Sequence, residues 1–131
     1  MIALDTNVLA RFLLGDDDAQ LKRAKALLKK KQRYTAPISV ILELVWVLES
    51  NDLNAHEIEQ GLRRLLGLPN FETNHTAELA LALSWYANGM GMADALHLAL
   101  CQHCKQLATF DKRFVKAGAE CTSTAQVAEV P

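Results

Sequence analysis

The chain has 131 residues, of which 50% are hydrophobic and 22% charged, and its formal net charge is −1. This length suits one domain with its own buried core, and the composition excludes a disordered chain. The near-neutral charge excludes a protein that coats nucleic acid by bulk electrostatics. It leaves room for an enzyme that binds a few phosphates locally.

Three features predict the cellular compartment. The three cysteines show no regular disulfide spacing, which predicts reduced thiols. The N-terminal residues lack a basic segment followed by a long apolar run, so we expect no signal peptide. The most apolar segment, residues 40–48, is too short to cross a bilayer. We therefore expect a soluble, cytoplasmic protein in which residues 1–131 form a single domain and no membrane is bound.

The first half of the chain alternates between strand and helix patterns. The predicted strands are residues 2–4, which should be buried, followed by 34–36 and 71–73. The predicted helices are residues 8–14, 18–31, 40–50 and 55–66. Gly15 should end the first helix, and Ser39 is a candidate N-cap for the third. That third helix is apolar on nearly all sides, which predicts burial against both the sheet and a further surface.

The second half continues the alternation. Residues 75–86 and 92–104 are predicted helices, and residues 107–109 and 119–121 are predicted strands. Strands separated by helices predict an α/β fold, in which a mainly parallel sheet has helices on both faces.

Two acids follow predicted strands. Asp5 comes after the first strand and Asp111 after residues 107–109. In an open parallel sheet, ligands bind at the carboxyl ends of the strands, so both acids should emerge at the same edge. Either one alone is better explained as a turn or N-cap residue, which is a common role for Asp.

Two further acids interrupt apolar helices. Glu43 is the only charged residue between Ser39 and Leu48, so its carboxylate should be at least partly buried. A metal or a basic partner would offset the cost of that burial, although an exposed stripe or a salt bridge is an alternative. Asp94 lies near a helix start, where the helix dipole favours an anion, and capping alone would explain it.

The four acids together suggest a carboxylate cluster. Such a cluster repels itself, which raises some pKa values or requires a cation. Ligand sets made only of oxygen suit Mg²⁺ or Mn²⁺ rather than structural zinc. A cation held in this way can activate water and stabilise charge on a phosphate during hydrolysis.

Four short motifs in this order resemble those of the PIN-domain family, most closely the small toxin ribonucleases of VapC type. The motifs are LDTNVL at residues 4–9, residues 39–43, ADALH at residues 93–97 and ATFDKRF at residues 108–114. The resemblance covers nearly the whole chain.

The resemblance implies a three-layer α/β/α sandwich with a central, mainly parallel sheet, and metal-dependent cleavage of RNA phosphodiesters. It implies that Asp5, Glu43, Asp94 and Asp111 are catalytic metal ligands. It also implies that Asn7 and Thr109 position the acids or a metal-bound water. The family further implies a homodimer, for which the helix around Trp46 is a candidate surface, and a cognate antitoxin that blocks the site.

Several alternatives remain open at the level of sequence. A DNA nuclease would use the same acids, and a non-catalytic module would use an acidic pocket only to hold a basic side chain. Phosphatases of the haloacid-dehalogenase type would need an acid at position 7, and receiver domains would need an early acid pair. The basic run of residues 22–33 is first explained as a solvated helix face, and a ridge for phosphates is an alternative that is compatible with it. Cys101 and Cys104 have CxxC spacing, but a helical position there argues against zinc or redox chemistry.

Overall fold

Seven helices and five short strands alternate along the chain in a computed structural model that describes residues 1–131. The helices are α1 (Thr6–Leu14), α2 (Asp18–Leu28), α3 (Ile38–Ser50), α4 (Ala55–Leu66), α5 (Thr76–Ala87), α6 (Met92–Leu100) and α7 (Lys112–Ala119). The strands are β1 (Ile2–Ala3), β2 (Tyr34–Thr35), β3 (Phe71–Glu72), β4 (Gln106–Thr109) and β5 (Gln126–Glu129). The chain divides into two compact units, Met1–Thr76 and Ala77–Pro131.

The first unit contains a parallel sheet in the order β1-β2-β3. Ile2 pairs with Tyr34, which pairs with Phe71 on its other side. The backbone N–H of Leu4 extends the ladder by donating to the carbonyl of Thr35 at 2.8 Å. This bond brings the chain to the carboxyl end of β1 immediately before Asp5, where the predicted strand also ends.

The end of α2 is tied to this sheet. The Tyr34 side chain is fully buried, and its hydroxyl donates to the carbonyl of Leu27 at 2.5 Å. The amide of Asn70 donates to the carbonyl of Leu28 at 2.8 Å. The last carbonyls of a helix have no partner inside it, so these side chains satisfy two of them and hold α2 in place.

Helix α3 buries one stripe rather than its whole circumference. Ile41, Leu44, Val45 and Leu48 are buried with the i, i+3, i+4, i+7 spacing of one helix face. Trp46, by contrast, is 54% exposed. Within this chain the helix therefore packs along one face only, and the further surface expected to cover its other apolar residues stays a prediction.

The second unit contains a parallel pair, β4 and β5, with Gln106 opposite Gln126 and Thr109 opposite Glu129. Helix α7 packs on β5. The Gln102 side chain bridges to the segment that leads into β5. Its Oε1 accepts from the backbone N–H of Thr124 at 2.9 Å, and its Nε2 donates to Ser123 at 2.7 Å.

Three details of the predicted elements were wrong. Residues 119–121 do not form a strand, because α7 continues to Ala119 and β4 pairs instead with residues 126–129. Helix α6 ends at Leu100, so Cys101–Cys104 form a turn in which the N–H of Cys104 donates to the carbonyl of Cys101. The N-cap of α3 is Pro37, not Ser39, with no side-chain capping bond.

The expected burial of the first strand was also wrong. Ile2 is 39% exposed, whereas Leu4, just after the strand, is 4% exposed. Strand β1 lies at the edge of its three-stranded sheet, where short strands are common and less covered. None of the helices combines the length and the hydrophobicity that crossing a bilayer requires.

Close packing of α7 on β5 depends on Gly118, because a Cβ there would lie 2.7 Å from Val127 Cβ. We predict that Gly118→Ala lowers the free energy of unfolding by about 1–2 kcal/mol. Overpacking costs about 1–3 kcal/mol, which exceeds the gain in helix propensity of up to about 1 kcal/mol. Urea denaturation measures the difference.

Gly61→Ala is the matched control, since a Cβ at this helical position would meet Leu13 Cδ2 at an ordinary 3.7 Å. This variant should be neutral or more stable by up to about 1 kcal/mol. Equal effects of the two substitutions would show that the contact with Val127 does not govern the packing of α7.

Candidate metal centre

Asp5 occupies the junction between β1 and α1. It is the N-cap of α1, and its Oδ1 accepts from the backbone N–H of Thr6 at 2.8 Å. Capping residues of this kind satisfy a helix N–H that has no partner within the helix. The side chain is exposed, and its Oδ2 makes no hydrogen bond or ion pair. One carboxylate oxygen is therefore available to a ligand.

Thr6 is a polar residue that sequence reasoning missed. It is 2% exposed, and its Oγ1 has no hydrogen-bond partner. A buried hydroxyl without a partner destabilises the folded state, because it loses its hydrogen bonds to water and gains none in the protein. Its position between Asp5 and Asn7 is the signal that would have found it. Asn7 itself is exposed on the first turn of α1.

Glu43 lies on the exposed side of α3, a helix that packs against α1. The prediction that its carboxylate is partly buried was wrong, because residues three apart share a helix face and Glu43 lies on the same face as Trp46. Its carboxylate makes no ion pair. No basic side chain of the chain therefore competes with a cation for its two oxygens.

Asp111 repeats at the junction of β4 and α7 the arrangement seen at Asp5. It is the N-cap of α7, and its Oδ1 accepts from the N–H of Arg113 at 2.9 Å and from that of Phe114 at 3.3 Å. The hydroxyl of Thr109 accepts from the backbone N–H of Asp111 at 3.0 Å. Thr109 thus holds the backbone of Asp111, while the Oδ2 of that acid remains free.

Asp94 lies in the first turn of α6 and is partly buried. Burial raises the pKa of its carboxyl above the usual value of 3.8, and the negative charge of Asp111 raises it further. His97 acts in the opposite direction and lowers this pKa. Asp94 and Asp111 are therefore close enough to repel each other, which is the condition that a bound cation relieves.

The predicted site residues fall into two sets. Asp5, Asn7 and Glu43 lie in the first unit, and Asp94, Thr109 and Asp111 lie in the second. Of the four acids, the structure shows electrostatic interaction between Asp94 and Asp111. No group of three or more His, Cys, Asp or Glu side chains is placed to hold a metal ion.

Next to β4, Phe110 is a second residue that sequence reasoning missed. Its side chain is 80% exposed, and it lies between Thr109 and Asp111. Lys112 and Arg113, which follow, are also exposed. An aromatic face beside basic side chains is a combination that binds single-stranded nucleic acid, since bases stack on it while cations meet phosphates.

The CxxC pair has a different electrostatic character. Burial raises the pKa of the Cys101 thiol, and the neighbouring Cys104 raises it further. Reactive cysteines show the opposite shift, because the thiolate is the nucleophile and the metal ligand. Contrary to the expectation of a helical position, both residues lie in the turn after α6.

Burial of Asp94 and, beyond it, the negative charge of Asp111 predict that Asp94→Asn stabilises the metal-free protein at pH 7. A raised carboxyl pKa means that the folded state binds the proton more tightly than the unfolded state. Stability is therefore lost as pH rises from the unfolded pKa through the folded one. The variant should unfold at higher urea than wild type at pH 7 in EDTA, and the difference should shrink toward pH 4.

Glu78→Gln is the control, because this acid also lies in the first turn of a helix but makes no ion pair. It should not stabilise the protein at pH 7, because the helix dipole favours a carboxylate in the first turn. A lower stability of Asp94→Asn at pH 7 would contradict the conclusion that burial and Asp111 disfavour the ionised form of Asp94.

The sequence matches the PIN domain family over residues 2–120, a span that includes all six predicted site residues. Neither a curated protein nor a solved structure matches it. The match and the parallel strands confirm the predicted α/β fold class, and they are consistent with a three-layer α/β/α sandwich. PIN domains are typically nucleases and generally bind divalent metals. Since the match covers most of its length, the chain belongs to the PIN domain family.

Proposed function

We propose that this protein is a Mg²⁺- or Mn²⁺-dependent endoribonuclease that hydrolyses RNA phosphodiesters. The observation that carries the proposal is the family match, which includes every acid of the four motifs. The repulsion between Asp94 and Asp111 and the unpaired oxygens of Asp5 and Glu43 support it. The match spans both compact units, which supports the proposal that residues 1–131 act as one functional domain.

The donor chemistry of these residues fits a hard divalent cation. Asp5, Glu43, Asp94 and Asp111 supply carboxylate oxygens, the ligands that Mg²⁺ and Mn²⁺ prefer. Because their motifs correspond to those of the PIN domain family, these four acids would hold the cation. When bound, the cation would activate water and stabilise charge on the phosphate.

The other residues of the motifs position these acids. Thr109 anchors the backbone of Asp111, whose Oδ1 is occupied by capping α7. Asp5 is oriented by the same kind of cap on α1. We propose that Asn7, which is exposed on the first turn of α1, orients water beside Asp5. Acids fixed in this way lose little side-chain entropy when they bind a cation.

Cleavage of a mixed RNA pool with Mn²⁺ or Mg²⁺ tests the function. Wild type should cleave RNA, and EDTA should abolish cleavage. Asp94→Asn should reduce the rate by roughly 100- to 1,000-fold, the usual loss when one group that stabilises developing charge is removed. Glu78→Gln, outside the family motifs, should retain activity.

The same variants separate the rival functions. Cleavage of a sequence-matched DNA in preference to RNA would contradict a ribonuclease. Mn²⁺ should also raise the melting temperature of wild type, since a ligand that binds the folded state stabilises it, and should do so less for Asp94→Asn. Absence of both cleavage and Mn²⁺ stabilisation would instead favour a non-catalytic module that binds a basic partner.

We further propose that the protein is a toxin of VapC type that acts as a homodimer and is blocked by a cognate antitoxin. The exposed aromatic surface at Trp46 on α3 supports the dimer, because large aromatic side chains are enriched at interfaces. An antitoxin that inserts a basic side chain would pair with the acids that lack partners here.

The dimer proposal predicts that Trp46→Ala weakens self-association. Truncating a central aromatic residue typically costs about 2 kcal/mol or more, which is roughly a 30-fold rise in the dimer dissociation constant. Sedimentation velocity across a concentration series measures it. Phe110→Ala removes another exposed aromatic side chain and should leave association unchanged. A monomeric wild type would contradict the proposal.

A further inference from the structure

A cavity of about 580 Å³ lies between α1 and α2 in the first unit. Val8 of α1 and Leu27 of α2 contribute apolar walls, and Asn7 lies at its edge two residues after Asp5. Three cationic side chains also line it, namely Arg11, Arg23 and Lys30. The cavity thus combines an apolar surface with positive charge beside a residue of the first family motif.

The three cations are in different electrostatic states. Arg11 is neutralised, because its Nη1 donates to both carboxylate oxygens of Asp16 at 2.9 and 2.8 Å and its Nε donates to Gln20 at 2.7 Å. Arg23 and Lys30 are exposed and make no ion pair. Arg23 lies on α2 and Lys30 lies two residues beyond its end at Leu28, and both line the cavity with positive charge that no acid pairs with.

The charge continues around the same helix and past its end. Residues 22–33 include seven basic residues and no acid. Of these, Arg33 pairs with Glu72, and the other six make no ion pair. Complementing the helix dipole needs cations only in the last turn, so it does not account for Lys22 and Arg23. Such a local excess in a chain of net charge −1 forms a basic track.

We propose that this cavity binds the phosphate backbone of single-stranded RNA, with Arg23 and Lys30 as the phosphate contacts. This inference rests on the proposed ribonuclease function. A guanidinium forms charge-assisted hydrogen bonds to phosphate oxygens, and an ammonium acts on them as a point charge. Val8 and Leu27 offer apolar contact to a ribose or a base. An RNA strand held here reaches Asn7, the neighbour of Asp5 in the first motif.

An acidic amphipathic peptide is the competing occupant, since an apolar groove with basic edges also suits it. The distribution of charge favours RNA. Lys22, Lys25 and Lys29 carry the positive charge beyond the cavity lining, onto another side of α2. A polyanion benefits from such a continuous track, whereas a docked peptide needs charge only around its groove.

The experiment measures RNA binding without cleavage. Fluorescence anisotropy with a labelled 12-nucleotide oligouridine in EDTA gives the dissociation constant across a salt series. Arg23→Gln/Lys30→Gln should weaken binding about 10-fold at 0.1 M salt. It should also reduce the slope of log K against log salt by about 1.4, the value for two lost phosphate contacts on a single strand.

Lys22→Gln/Lys29→Gln is the matched control, because it removes the same charge at the same spacing from residues that do not line the cavity. It should weaken binding by only about 2-fold, because these outer charges attract the polyanion at a distance without contacting a phosphate, and salt screens that attraction. Equal melting temperatures establish that both double variants fold.

Three results would overturn the proposal. One is equal weakening by the two double variants, which would mean bulk electrostatics. Another is an Arg23→Gln/Lys30→Gln variant that binds RNA as tightly as wild type. If that variant instead lost binding to an acidic Glu/Leu peptide, the cavity would be a protein-binding groove. The third is a wild type that fails to bind in EDTA. Mn²⁺-dependent cleavage is measured in a separate assay. Any of these three binding results can therefore be obtained with a protein that still cleaves RNA.

Discussion

The parallel pairing of short strands is the constraint on which the candidate site depends. A parallel strand needs a crossover before its partner, so each strand leads into a helix and leaves helix N–H groups without partners at the junction. Asp5 caps α1 after β1, and Asp111 caps α7 after β4. In both acids one oxygen is held by the cap while the other makes no hydrogen bond. Hydrogen bonds from the backbone therefore orient both carboxylates in the metal-free protein and leave one oxygen of each available to a cation.

The repulsion between Asp94 and Asp111 has an energetic cost that a bound cation would relieve. Partial burial and the proximity of Asp111 make the ionised form of Asp94 unfavourable. Burying or clustering carboxylates without a partner destabilises a fold, and a divalent cation reverses the sign of the interaction. Positive charge is collected elsewhere, along α2. A chain of small net charge thus holds an acidic pair suited to a cation and a basic track suited to phosphates.

Helical periodicity made most elements of this fold predictable. Helix α4 has the predicted bounds, and α1 ends at Gly15, whose φ of 62° favours glycine there. Sequence reasoning missed α7, whose eight residues hold too few apolar positions to show a period, and it placed the last strand too early. A strand as short as β5 is defined by its pairing with β4, which local composition does not encode.

The sequence by itself determined the PIN domain family and the α/β class, because strand–helix alternation and the order of motifs can be read along the chain. It also named the four candidate acids, whose role as metal ligands is a proposal. Only the tertiary structure decided which of these side chains are exposed and which of them lie near one another. It left Glu43 in solvent on an apolar helix, buried the hydroxyl of Thr6 without a partner, and brought Asp94 within electrostatic range of Asp111. It also placed Arg23 and Lys30 on a cavity beside Asn7. Burial and charge proximity depend on how helices pack, and that depends on contacts between residues far apart in the chain.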